Sequence, residues 1–228
     1  MNWIINFFTS SIGRKIIMSL TGIFLILFLT VHLIGNLQLL IDDGGEQFNL
    51  YAKMMTSNPL IKVISYGNYF FIVLHAILGI VLWLQNKNAK GSRYAVKAKN
   101  TTFASQNMAW FGIVILVFII IHMGQFWFKM HFGDLPLETY GTVEGVKNLY
   151  IPVAAAFSNI GFVIFYVICM VVIGLHLSHG FQSAFQSLGL NHKKYTPIIK
   201  GLGLGYSILI PLGFAIIPIA FYLLRNVN

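Results

Sequence analysis

The chain has 228 residues, 57% of them hydrophobic and only 9% charged. A soluble domain carries about 25% charged residues, so the composition excludes an ordinary water-soluble fold and points to an integral membrane protein. The formal net charge is +9, and where those charges sit decides what they mean.

Uncharged intervals run over 16–41, 63–86, 100–128, 148–192 and 201–224. Each exceeds the roughly 20 residues that a helix needs to cross a bilayer. The first follows Arg14 and Lys15 and lacks a small-residue cleavage site, so it reads as a permanent helix over 14–41 and not a cleaved signal. The second predicts a helix over 63–86 and the third one over 104–131. The fourth interval is long enough for two crossings but shows no hairpin signal in its middle. It predicts one long helix over 152–187, opening at Pro152, which suits a first helical turn. The fifth predicts a helix over 201–225, bent by Pro211 and Pro218. The expected fold is an all-α membrane protein, a single bundle of five transmembrane helices.

Loop charges set the expected orientation. Arg14, Lys15, Lys87, Lys90, Arg93, Lys97, Lys99, Lys193, Lys194 and Lys200 fall on one side; Lys53, Lys62, Lys129, Lys147 and Arg225 fall on the other, with all six acids. The positive-inside rule then puts the N-terminus in the cytoplasm and the C-terminus outside. The basic excess builds a cytoplasmic face without carboxylates, suited to anionic headgroups or an acidic protein partner, and gives no reason to invoke nucleic acid. The lone Cys169 cannot supply an iron–sulfur cluster or an intrachain disulfide, and no C-x-x-C-H is present for covalent haem.

Seven histidines remain. His131 and His192 sit at helix ends and read as interfacial. His32, His75, His122, His176 and His179 lie within apolar spans, where ionisable groups are costly and usually functional. Counted from the cytoplasmic helix ends, His32 and His122 share one depth nearer the outside. His75 and His176 share another nearer the cytoplasm, roughly 8 Å away at 1.5 Å per residue. Two imidazoles at one depth on two helices can hold one haem iron between them, so two matched pairs predict two haems b. Gly79 and Gly180 follow His75 and His176 by four residues, on the ligand's own face, where they clear room for a flat macrocycle. Gly22 and Gly112 precede His32 and His122 by ten. Close helix packing explains the same glycines equally well. A structural hydrogen-bonding role is the alternative for the histidines. Zinc fits less well, since a tetrahedral site wants its ligands at one level, and a proton pathway would show a carboxylate within the spans.

With these residues in place, the sequence resembles the dihaem cytochrome b membrane subunit of the succinate dehydrogenase and fumarate reductase family. The resemblance is carried by "SSIGRKIIMSLTGIFLILFLTVHLIGNLQ" at 10–38, "FFIVLHAILGIVLW" at 70–83, "FIIIHMGQF" at 118–126 and "GLHLSHGFQSAFQSLG" at 174–189. It implies His32 and His122 as ligands of an outer, distal haem, and His75 and His176 as ligands of an inner, proximal one. In "HLSHG" only His176 has a glycine four residues on, which leaves His179 for a haem propionate or a cavity wall. The resemblance also implies a flavoprotein subunit, an iron–sulfur subunit on the cytoplasmic face, menaquinone as membrane substrate, and the bacterial cytoplasmic membrane as location. A quinone site needs a proton donor; Glu46, beside Asp42 and Asp43, is the expected one. Ser11, Arg14 and Lys15 read first as the ordinary cytoplasmic flank of a helix, with an inner quinone or a haem propionate as the functional alternative. Two rival readings stand beside this one: a dihaem cytochrome b of another dehydrogenase, of hydrogenase or formate type, and a haem-free transporter whose histidines relay protons.

Overall fold

Short polar side chains start the helices. Ser10 accepts from the Gly13 amide at 3.0 Å, Asn58 from Leu60 and Ile61, Thr102 from Ser105, and Asn159 from Gly161 and Phe162. Each satisfies amides that the first helical turn leaves open. The computed structural model describes residues 3–89 and 102–225. Lys90, Arg93, Lys97 and Lys99, on which the orientation partly rests, lie outside the described residues.

The elements are α1 (Trp3–Thr9), α2 (Ser11–Leu37, extended by a 3-10 turn, Gln38–Leu40), α3 (Glu46–Ser57), α4 (Pro59–Ala89) and α5 (Phe103–His122). A π turn (Met123–Trp127) leads on to α6 (Phe128–Phe132). Strands β1 (Leu137–Tyr140) and β2 (Val143–Lys147), α7 (Tyr150–Phe157), α8 (Ile160–Ser187) and α9 (Thr196–Arg225) complete the chain. Five helical stretches are long and apolar enough to cross a membrane: Ser11–Leu40, Pro59–Asn88, Phe103–Phe132, Ile160–Ser187 and Thr196–Leu224, with mean hydropathy of 1.9 to 2.6. Leu27, Val31 and Ile34 of α2 and Ile164, Ile168 and Val171 of α8 are exposed, which suits contact with lipid tails.

α8 is central. It packs on α2, α5 and α9 and buries Val163, Tyr166, Cys169, Met170, Ile173 and Leu177. Glycines bring α9 close: a Cβ on Gly174 of α8 would stand 2.9 Å from the Ser207 carbonyl oxygen, and one on Gly203 of α9 would stand 2.8 Å from the Phe181 ring. Without a hydrophobic drive between helices in lipid, such close backbone approach is a main source of packing energy. Pro211 and Pro218 lie within α9 without ending it.

Two differences from the expected elements have clear causes. The helix expected over 152–187 is divided. Pro152 lies inside α7, and Asn159 takes an extended conformation (φ −93°, ψ 115°) while its side chain caps α8. The second difference is a small polar layer at the end of the bundle opposite the N-terminus, formed by α3, the β1–β2 hairpin and α7. Gly141, at φ +56° between the strands, supplies the left-handed residue of the turn. Asn49 of α3 ties the layer together. It is fully buried, donates to Tyr140 Oη at 3.0 Å and Asn148 Oδ1 at 3.1 Å, and accepts from the Tyr150 amide at 3.1 Å. Lys53 donates to the Glu144 carbonyl beside it. Replacing Asn49→Leu strands these partners, so the variant is expected to lose on the order of 3 kcal/mol, read as a lower thermal midpoint of the detergent-solubilised chain.

Candidate functional site: two stacked histidine pairs

α4 runs antiparallel to α2, and α8 antiparallel to α5, so one histidine from each helix can meet one from another. The rings of His75 (α4) and His176 (α8) face each other with centres 6.4 Å apart. Those of His32 (α2) and His122 (α5) do so at 5.7 Å. The structure therefore brings together the two pairs matched by depth. All four residues keep some accessible surface although they face one another across the bundle.

The two levels lie further apart than the count from helix ends implied. On α2, Thr21 and Gly22 lie against His75, and His32 follows Gly22 by ten residues. On α8, Tyr166 reaches His122, and His176 follows it by ten. Ten residues rise about 15 Å, roughly double the expected 8 Å. The earlier count took the charged flanks as one plane. In fact α2 begins at Ser11 and α4 continues to Ala89, so the helix ends are not coplanar, whereas contacts between helices measure level directly.

Polar partners orient the rings. Thr21 Oγ1 lies 3.0 Å from the Ile17 and Met18 carbonyls and 3.1 Å from His75 Nδ1. If its one proton goes to a carbonyl, its oxygen accepts from His75 Nδ1–H, the tautomer that leaves Nε2 with a free lone pair. Tyr166, buried among Phe118, Phe126, Phe157, Phe162 and Phe165, places its hydroxyl 3.3 Å from His122 Nδ1. Asn36 Nδ2 lies 3.3 Å from His32 Nδ1 and 3.5 Å from its Nε2, so it selects neither nitrogen, and donates to the His32 carbonyl at 2.7 Å. Phe28 stacks on His32 at 5.2 Å. Holding one nitrogen so that the other is presented is how proteins orient metal-ligating imidazoles.

The remaining expected site residues distribute as follows. His179 does not face a pair; its Nε2 lies 3.1 Å from Ser183 Oγ, one turn along the same helix. Gly22, grouped with His32 by its offset, belongs to the other level: a Cβ there would stand 3.4 Å from the His75 ring. The offset of ten is the spacing between levels. Gly79 lies against the Met18 methyl, with 3.4 Å to an added Cβ, so Met18 occupies the room expected there, while Cβ atoms on Gly112 and Gly180 would meet nothing within 4 Å. Arg14 is half-buried and Ser11 and Lys15 are exposed at the start of α2. Glu46 is exposed at the start of α3. Its neighbour Asp43 is committed to that helix, accepting from the Gly45 and Gln47 amides at 2.9 and 3.0 Å. Thr21, Asn36 and Tyr166 were not anticipated, although each is a polar group inside an apolar span and so needed a partner.

Among the described residues no group of three or more His, Cys, Asp or Glu side chains converges; what the site offers is pairs. Two imidazoles trans on one first-row metal put their ring centres about 6.3 Å apart, from metal–nitrogen bonds of ~2.0–2.1 Å and the ring radius. The His75–His176 separation matches that figure and the His32–His122 separation is about 0.6 Å less. The pairs could thus serve a metal that brings its remaining ligands with it. Comparison with family models, curated proteins and solved structures finds no match. The tautomer assignment is directly checkable. In the metal-free chain, Thr21→Val keeps the side-chain shape but removes one hydrogen-bond partner of His75, and histidine ¹⁵N spectra are expected to show a shifted tautomer balance at His75.

Proposed function

We propose that the chain is the dihaem cytochrome b membrane subunit of a succinate dehydrogenase or fumarate reductase complex, the family that its helix motifs resemble. It anchors a flavoprotein and an iron–sulfur subunit at the bacterial cytoplasmic membrane, with menaquinone as membrane substrate. The observation that carries the reading is the stacking of two facing histidine pairs, drawn from four helices, about 15 Å apart along the bundle. Haem iron accepts imidazole ligands, and each histidine pair would hold one such iron. Haem at both levels would provide two one-electron carriers in series between the two faces of the bundle.

The chain's own residues have distinct parts in this reading. His75 and His176 would hold the iron of the first level, and His32 and His122 that of the second. Thr21 and Tyr166 would orient the imidazoles they touch, His75 and His122. Gly22 leaves width beside His75, and no atom stands within 4 Å of a Cβ placed on Gly112 or Gly180. The first level is the inner one if the N-terminus is cytoplasmic, as the basic loops favour. Arg14 and Lys15 then face the iron–sulfur partner or a haem propionate. Glu46 is proposed as the proton-exchanging residue for quinone on the opposite side.

A reduced-minus-oxidised spectrum with a pyridine haemochrome assay is expected to count two haems b per chain; the absence of a Soret band would overturn the proposal. A flavoprotein and an iron–sulfur protein are expected to co-purify, and a nickel or molybdenum subunit in their place would assign the chain to a different dehydrogenase. The variants are asymmetric. His176→Ala is expected to leave one haem per chain, whereas His179→Ala keeps both.

A further inference from the structure

Two enclosed side-chain atoms meet no hydrogen-bond partner among the described residues, Nδ1 of His176 and Oδ1 of Asn68. The first belongs to a histidine pair. The second belongs to a carboxamide on α4 that is only 4% exposed, inside a stretch, 63–86, without a charged residue. An unpaired amide at such depth is costly.

Its position follows from the antiparallel packing of α2 and α4. His75 lies against Thr21 and Gly22, and Phe71 packs on Phe24 with ring centres 4.7 Å apart. Asn68 comes three residues before Phe71 and seven before His75, so it shares their face. Continuing the register sets it opposite position 28 of α2, where Phe28 stacks on His32. Asn68 thus stands between the two histidine levels, about 10 Å along α4 from His75.

We infer that Asn68 is a ligand contact, and that its carboxamide pairs with a carboxyl group on the edge of the prosthetic group held at the neighbouring histidine level. The inference rests on the dihaem reading. The carboxyls are the polar groups on the rim of a haem b. No Lys or Arg lies within 16–41 of α2 or 63–86 of α4 to keep a carboxyl ionised there, and an apolar setting favours the protonated form. A neutral carboxyl group and a carboxamide are complementary. The acid O–H donates to the orphaned Oδ1, and Nδ2–H can donate to the acid carbonyl. Lipid and isoprenoid tails have no atom that could do this.

The test uses the full chain, haem-loaded and haem-depleted. Asn68→Leu removes both hydrogen-bonding ends at similar volume. The expected result is a higher thermal midpoint for the depleted chain, a lower one for the loaded chain, two haems retained, and a shifted infrared carbonyl band from ¹³C-labelled haem carboxyls. If loaded and depleted chains respond alike and the carboxyl band stays in place, Asn68 contacts no haem carboxyl and the inference fails while the dihaem reading stands. If the wild-type chain holds no haem, the haemochrome assay shows that the dihaem reading itself is wrong, and the inference goes with it. Should Asn68→Leu not accumulate, Asn68→Ser is read by the same carboxyl band.

Discussion

A bilayer core has no water to pair with a buried polar atom, and the rest of this structure depends on that constraint. Every polar side chain inside the five spans must be met by another group, because the alternative is a bare donor or acceptor in hydrocarbon. Hydroxyls in these helices meet it first by turning back on their own carbonyls, as Ser19 does to Lys15 and Thr30 to Ile26. Thr21 and Thr30 go further and use the same oxygen to reach a second helix, at His75 of α4 and Tyr206 of α9. Three of the four paired histidines meet a side chain with a ring nitrogen, His75 at Thr21, His122 at Tyr166 and His32 at Asn36.

The architecture separates holding from positioning. α8 and α9 are locked through glycines at Gly174 and Gly203, and α8 in turn carries both His176 and Tyr166, one for each level. α2 does the same in the opposite direction, with Thr21 and Gly22 at one level and His32 at the other. Each of these helices therefore spans the two levels as a rigid rod. The polar layer around Asn49 closes one end of the bundle, and its helix α3 packs on α2 where Gly35 meets the Tyr51 ring. The π turn directly after His122 widens α5 by one residue and lets Trp127 donate to Tyr69 of α4 at 2.7 Å, a device common beside functional residues.

Much of this was legible in the sequence, for a physical reason. An uncharged apolar run of more than twenty residues has one economical use, so the five spans could be read directly, and depth counting matched the same histidines that the fold brings together. Levels and ends were less legible. Helix ends depend on caps such as Asn159, whose signal is two or three residues long, and it was lost inside a 45-residue apolar interval. The hairpin at 137–147 was equally hidden, since Gly141 in "TYGTVEG" is an ordinary turn signal in a segment read simply as a loop. Thr21, Asn36, Asn68 and Tyr166 could have been singled out by asking of every polar residue in a span where its partner lies. Which partner each would find depended on helix register, and no single span encodes that.

The ten-residue interval shared by α2 and α8 has a consequence for how such a chain can vary. Adding or removing one residue between Gly22 and His32, or between Tyr166 and His176, would slide one end by 1.5 Å and swing it by 100°. The change would turn one level's side chains away while leaving the other level intact. Substitutions that preserve size and polarity can be absorbed along these stretches, but changes in length cannot. These two decapeptide intervals are therefore expected to keep their length while the loops that join the helices drift freely.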